Sequence, residues 1–196
     1  MTGIVLIRHA ETEGNLKGKY VGRTDEPLCE QGRETLSEAV RRGIYPRPGP
    51  DAALFVSPMK RCRQTASQIY PGMEQILVED FRECDFGSFE YRNYRELDGD
   101  PAYQAWIDSG GQTAFPGGED PALFRCRSVR AFERALELSH GSSRLFFVVH
   151  GGTIMSILSA FGRPGADYFD WIVGNGQGYD CLLTEDRELK VLRKIE

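Results

Sequence analysis

Apolar residues gather into short, uninterrupted runs along this chain. Residues 4–7 (IVLI), 54–56 (LFV) and 145–149 (LFFVV) show no polar alternation, the pattern expected of strands covered on both faces. Between these runs, apolar positions recur at helical spacing. Leu36, Ala39 and Val40 do so within residues 30–42, ahead of Gly43, and Thr65, Ala66 and Ile69 share one side of residues 59–70, which stop at Pro71-Gly72. Residues 119–138 and 152–161 are two further predicted helices, the second closed by Gly162 and Pro164. Residues 181–184 and 188–195, with an Asp-Arg turn between them, predict a terminal hairpin.

Strands that alternate with helices build βαβ units, so the expected fold is α/β, with a mostly parallel sheet and helices on both faces. Residues 85–118 break the rhythm. They hold Phe86, Phe89, Tyr91, Tyr94, Tyr103, Trp106 and Phe115 among glycines, and predict a helical or loop cap over one end of the sheet. No repeat, linker or low-complexity stretch divides the chain, so residues 1–196 are expected to form a single domain.

Strands of a parallel sheet end on one edge, where ligands bind. His9 follows the first apolar run, His150 follows the third, and Ser57-Pro58 leaves the second. One histidine in such a place is more simply a turn residue with its hydrogen bonds satisfied. Two at matching exits, one beside Arg8 and one before Gly151-Gly152, point to a shared pocket. A guanidinium can hold two phosphate oxygens at once, which suits Arg8. Arg61 enters early in the helix after Ser57-Pro58, where unpaired helix N–H groups also favour an anion.

Composition narrows the ligand. Of 196 residues, 24 are Lys or Arg and 29 are Asp or Glu, a net charge of −5. That balance argues against nucleic acid as the main partner and leaves room for a small anionic substrate, such as a small phosphorylated metabolite, in a local arginine cluster. Five cysteines without a CxxC pair read as reduced thiols of a cytoplasmic protein. The opening run is too short for a signal peptide, and no segment approaches the ~18 apolar residues of a membrane span. A phosphate-binding P-loop fails because only three residues separate Gly14 from Gly18-Lys19 and Tyr20 stands where Ser or Thr is needed. No cysteine follows a histidine, as a cysteine phosphatase would require, and clustered zinc ligands are absent. The expectation is therefore no metal and no cofactor. Oligomeric state is left open, a homodimer being one option.

Five motifs, in order, give these residues a common meaning. LIRHAETEGN (6–15), GRTDEPLCEQG (22–32), SPMKRCRQTA (57–66), ECDFGSFE (83–90) and HGG (150–152) together resemble the histidine phosphatase superfamily, which includes phosphoglycerate mutases and several phosphatases. The resemblance covers nearly the whole chain. It implies a three-layer α/β/α, phosphoglycerate mutase-like fold and a metal-independent phosphomonoesterase working through a phosphohistidine. His9 would carry the phosphoryl group, and Glu83 would be the proton donor. Arg8, Arg61 and His150 would surround the phosphate, with substrate contacts from Asn15, Gly151, Gly22 and Arg23. Phe81 and Phe86 flank Glu83 in sequence and could supply the apolar surroundings that keep a carboxyl protonated.

Glu83 and His150 stand 67 positions apart, closer than in the mutase branch, which favours phosphatase activity. The aromatic segment looks most like that of α-ribazole-5′-phosphate phosphatases of cobalamin biosynthesis. Broad action on phosphoserine or sugar phosphates, or phosphoglycerate mutation, is the alternative. Two positions depart from the usual pattern: Phe89-Glu90-Tyr91 replaces Trp-Glu-Gly, and Ala10 replaces the glycine after the first histidine. Neither removes a reacting group. The rival of another class is a catalytically weak phospho-ligand binding module; vanadate-sensitive release of phosphate from p-nitrophenyl phosphate separates the two.

Overall fold

The computed structural model describes residues 2–139 and 141–196, and its core is a seven-stranded mixed sheet. In chain order the elements are β1 (Thr2–Arg8), α1 (Glu13–Leu16), α2 (Glu30–Arg41), β2 (Ala52–Val56), α3 (Lys60–Ile69), β3 (Gln75–Leu77), α4 (Pro101–Asp108), α5 (Pro121–Leu138), β4 (Arg144–Val149), α6 (Gly151–Phe161), β5 (Gly162–Arg163), β6 (Gly178–Leu183) and β7 (Leu189–Ile195). The strand order is β3-β2-β4-β1-β6-β7-β5. β1, β4, β2 and β3 are mutually parallel, whereas β6 runs antiparallel to both β1 and β7.

The unbroken apolar runs have a direct cause: both faces of the central strands are covered. Ile4, Leu6, Phe55, Phe147 and Val149 pack with Ala131 and Phe132 of α5 and Ile154 and Ile157 of α6. The alternate residues Val5, Ile7, Leu54, Val56, Phe146 and Val148 pack with Leu36 of α2 and Cys62, Ala66 and Ile69 of α3. One period-two alternation thus feeds two cores, and α/β with helices on both faces is what forms.

Local signals set the helix ends. The carboxylate of Asp120 accepts from Ala122 N at 2.7 Å, with Pro121 in the first helical position. α5 therefore begins two residues later than its periodicity suggests. α3 has no cap of its own. Its first amide, Lys60 N–H, donates to Asp25 Oδ1 at 2.7 Å, so part of that helix start is already occupied by a carboxylate. Arg61 is its second residue and lies in its first turn.

Three elements had no sequence signal strong enough to predict them: α1, a single turn capped by Thr12, β3 with three residues and β5 with two. Within 85–118 only α4 is a regular α-helix; the rest is turns and a 3-10 turn over Gly87–Phe89. The aromatics there form their own cluster, in which Phe89 and Phe115 pack with Phe124 of α5, and Tyr103 and Trp106 lie against it. Gly87 is needed for backbone reasons, since its φ is +55° and a Cβ there would strike Pro116 O. Among the described residues, no helix is long and apolar enough to cross a membrane.

Phe147 is the hub of one core, stacked on Phe55 at 5.3 Å and tilted against Phe132 at 5.1 Å. Phe147→Ala should cost about 3–5 kcal/mol through lost burial and the cavity left behind. Urea unfolding followed by circular dichroism measures it, and a loss below about 1 kcal/mol would contradict this packing.

Candidate active site

Strand register brings the predicted residues to one height. Arg8 pairs with Val149 across β1 and β4, and Val56 with Val148 across β2 and β4. The backbone continues that alignment past the strand ends: His9 N–H donates to Val149 O at 3.0 Å and Ser57 N–H to Val148 O at 3.1 Å. His9, Ser57 and His150 are therefore adjacent exits. The two imidazoles lie edge to face with centroids 5.2 Å apart, 3% and 0% exposed. The third histidine, His140, lies outside the described residues.

His9 is held in a defined tautomer. Its Nδ1 is 2.8 Å from its neighbour's carbonyl, Ala10 O, which can only accept, so Nδ1 carries the proton and Nε2 keeps a free lone pair. Thr65 fixes this turn by accepting from Ala10 N–H at 3.0 Å while donating to Arg61 O at 2.7 Å. Burial pushes the His9 pKa well below the usual histidine value, and the charges of Arg61 and Arg8 add to that; the Ala10 hydrogen bond opposes it only in part. A neutral imidazole with an exposed lone pair is a nucleophile. His150 is likewise pushed down, by burial first and then by Arg61, His9 and Arg8. Its Nε2 is 2.8 Å from Ser57 Oγ, and Cys62 Sγ lies 3.5 Å away.

Two guanidinium groups face these rings. Arg61 is 0% exposed and donates to Thr24 O, Val21 O and Gly22 O at 2.8, 3.3 and 2.9 Å. Arg8 donates to Val173 O at 2.8 Å. The Nε of each is buried and, among the described residues, has no acceptor. Buried donors without partners are rare in folded proteins, and two beside a neutral histidine mark a place for an anion's oxygens.

Glu83 completes the group. Its Oε1 accepts from Cys84 N–H at 3.0 Å, and the Gly152 amide at the start of α6 also hydrogen-bonds its carboxylate. Burial raises the Glu83 pKa, against the opposing pull of those amides, Arg61 and Arg8. Of the aromatics expected to surround it, Phe86 lines the same cavity while Phe81 belongs to the sheet core. Phe124 of α5 is the wall that sequence reading missed. A Cβ on Gly152 would lie 2.8 Å from both Glu83 Oε1 and the Phe124 ring. The second glycine of the HGG motif therefore lets the carboxyl reach the helix start.

The remaining predicted residues take different places. Asn15 Oδ1 accepts from Thr12 N–H at 3.2 Å and from Asn175 Nδ2 at 3.1 Å, which leaves its NH2 as a donor. Gly151 lies beside the Arg8 side chain, 3.5 Å from Nε for an added Cβ. Gly22 does not line the cavity. It passes so close to Cys84 O that a Cβ would collide, and its carbonyl receives Arg61. Arg23 is on the exposed rim, paired with Asp85 at 3.3 Å. Asn175, from the glycine-rich turn before β6, was not anticipated; its Nδ2 also donates to His9 O at 3.1 Å.

Arg127 was missed as well, and it organises the Glu83 segment. From α5 it donates to Asp80 O and Arg82 O at 2.8 Å each and to Glu83 O at 3.2 Å. Its other edge grips Glu119 through Nε and Nη2 at 2.7 and 2.8 Å. Nothing in local sequence separates it from a solvated helix arginine.

The cavity lies between this centre and the aromatic segment, with a volume of about 320 Å³. Arg8, Glu83, Gly151 and Gly152 form its polar end, and Tyr20, Phe86, Trp106, Phe115 and Phe124 are among its apolar walls. A larger hollow of about 780 Å³ around Arg33, Lys60 and Arg63 is an open surface feature away from the histidines.

A doubly covered sheet with a neutral histidine, two buried arginine Nε–H donors without acceptors and a desolvated carboxyl at one edge defines an α/β phosphoric monoester hydrolase. The chain belongs to the histidine phosphatase superfamily: the profile of the Histidine phosphatase superfamily (branch 1) matches residues 4–194. It is similar to the adenosylcobalamin/α-ribazole phosphatase of Salmonella typhimurium, 31% identical over 177 residues, covering 87% of this chain and 85% of that protein. It is also similar to the metal-independent phosphoserine phosphatase of Arabidopsis thaliana, 33% identical over 164 residues, 80% of this chain and 67% of that one. The solved α-ribazole phosphatase of Shigella flexneri shares the fold, with a TM-score of 0.85 at 24% identity, covering 100% of this chain and 96% of that one.

The histidine environment is directly testable. In a long-range ¹H–¹⁵N titration, His9 and His150 should stay neutral down to pH values well below 6.5, with His9 as the Nδ1–H tautomer. A midpoint at or above 6.5 for His9 would contradict this geometry. Independently, Gly152→Ala should displace Glu83 and lower kcat by more than tenfold while the unfolding midpoint shifts little.

Proposed function

We propose that the chain hydrolyses small phosphomonoesters without a metal, through a phosphohistidine on His9. The observation that carries this reading is the free Nε2 lone pair of a neutral His9 beside two buried guanidinium N–H groups lacking acceptors. Arg8, Arg61, His150, the Asn15 NH2 and the Gly151 amide at the start of α6 surround the phosphoryl group. Gly22 contributes by orienting Arg61, and Arg23 stays on the rim.

His9 Nε2 attacks phosphorus, the ester P–O bond breaks, and Glu83 gives its proton to the leaving alkoxide. The P–N bond of the intermediate is then cleaved by water, whose proton returns to Glu83, releasing phosphate. A bound dianion opposes the lowering of the His150 pKa, and this ring borders the phosphoryl group. Charge on the transferring group is met by fixed dipoles and cations in a dry site, where they act most strongly.

For the leaving group we favour a nucleoside-like alcohol, as in α-ribazole 5′-phosphate. Support comes from the aromatic walls of the cavity and from the α-ribazole phosphatase activity named for a relative. Broad action on small esters such as phosphoserine is the second reading, favoured by the phosphoserine phosphatase relative. The chain is taken as one domain with residues 85–118 as its cap. The five free cysteines support a cytoplasmic setting.

His9→Ala should abolish turnover, and EDTA should leave it unchanged; substantial activity in the variant or Mg²⁺-restored loss would refute the mechanism. Glu83→Gln should lower kcat by roughly 10²- to 10⁴-fold on alkyl phosphates and far less on p-nitrophenyl phosphate, whose leaving group needs no proton. Glu83 must be protonated to act and its pKa is raised, so kcat/KM falls on the alkaline side as Glu83 ionises. His9 must be neutral and its pKa is lowered, so loss from this group on the acid side begins well below 6.5. Glu83→Gln should remove the alkaline limb; a profile with that limb intact would assign the acid elsewhere.

A further inference from the structure

The wall of this cavity carries a further cation that the phosphoryl centre does not use. Arg125, on α5, lines the cavity together with Glu83. Its guanidinium carbon lies over the Tyr168 ring, 4.0 Å from the centroid, a cation–π contact that restricts the group without using its N–H donors. Among the described residues it makes no hydrogen bond and no ion pair. Its Nε is buried with no acceptor, as is the Nε1 of Trp106, which lines the same cavity. Tyr168 is itself fixed, donating to Gly152 O at 3.3 Å. The neighbouring Arg127 shows the contrast: its guanidinium is engaged by Glu119 and three carbonyls.

We propose that Arg125 is the specificity-determining residue of the leaving-group end, binding a hydrogen-bond acceptor on an alcohol whose aromatic body lies between the apolar walls. A guanidinium can only donate, so the ligand atom it takes is a ring nitrogen, a carbonyl or hydroxyl oxygen, or a carboxylate. The walls set the other half of the class. Phe86, Phe115, Phe124 and Trp106 give no polar partner to a short, highly charged chain but match a flat ring. Because the contact with Tyr168 already restricts Arg125, little rotamer freedom remains to be lost on binding. The preferred substrates are thus monoesters of aromatic alcohols bearing an acceptor, a class that includes nucleoside-like 5′-phosphates. This inference rests on the phosphatase reading of the same cavity and adds the residue that selects among esters.

The test compares two aromatic esters, α-ribazole 5′-phosphate, which carries a ring nitrogen and ribose hydroxyls, and benzyl phosphate, which has no acceptor on its leaving group beyond the ester oxygen. The readout is the ratio of their kcat/KM values in the wild type, Arg125→Met and Arg125→Gln. The wild-type ratio should favour α-ribazole 5′-phosphate, and Arg125→Met should reduce it roughly ten- to hundredfold. Arg125→Gln, which keeps a donor, should restore part of it and serves as the folded control should the methionine variant be unstable. Both esters hydrolysed with a ratio unmoved in both variants would overturn the role of Arg125 while leaving the phosphatase reading intact. Neither ester hydrolysed by the wild type would instead overturn that reading. Adding O-phosphoserine separates acceptor from anion: a preference for phosphoserine, lost in Arg125→Met, would overturn the aromatic class.

Discussion

The site depends on keeping two cations dry. Arg61 is fully buried and Arg8 partly so, and the carboxylates that act on Arg8 are Glu83, itself pushed toward its neutral form, and Glu11. Desolvated charge of one sign is costly, and in this chain that cost falls on the two neighbouring imidazoles. Burial drives both imidazoles neutral, with the arginine charges adding to that, while burial alone pushes the Glu83 carboxyl toward its protonated form against the pull of the arginines. A dianionic phosphoryl group relieves the imbalance on arrival. The features that activate the empty site and those that bind substrate are thus one electrostatic condition seen in two states.

Holding such a site open is the task of the fold. The ends of β1, β2 and β4 are fixed by backbone register, and their strands are locked by packing on both faces. The carbonyls of Val21, Gly22 and Thr24 hold Arg61, and that of Val173 holds Arg8. Among the described residues neither guanidinium is neutralised by a salt bridge, which would weaken its hold on phosphate. Glu83 sits on an irregular segment and needs a separate anchor. Arg127 supplies it by collecting the carbonyls of that segment while its own charge is balanced by Glu119.

Much of this was legible from the residue pattern, and the division has physical reasons. Long runs buried on both sides announce themselves, so β1, β2, β4 and the helices around them were read to within a residue or two. β3 has three residues and sits at the sheet edge with Ile76 and Leu77 partly exposed; so short a strand carries no periodicity. His9, His150, Arg8, Arg61 and Glu83 lie in motifs whose local order survives folding. Phe124, Arg127, Asn175 and Gly152 act through partners scores of positions away. Arg127 lies 44 residues from Glu83 and Asn175 lies 166 from His9, and only the packing of α5 and of the turn before β6 brings them close. Gly22 and Arg23 show the converse, since a motif position can serve another motif residue without entering the cavity.

The cavity has two ends made from different materials, and that separation bears on how specificity can vary. Its phosphate end is built from strand exits and the start of α6, parts that cannot shift without disturbing the core. Its leaving-group end comes from α5 and residues 85–118, packed as an aromatic cluster apart from the sheet, with Tyr168 also lining it. α5 alone belongs to both, with Phe124 beside Glu83, Arg125 toward the ligand and Arg127 beneath the acid. A substitution on this helix that alters ligand contact is therefore also placed to move the proton donor. Substrate choice and acid catalysis are coupled through one element, whereas the nucleophile, fixed by β1 and Thr65, is insulated from both.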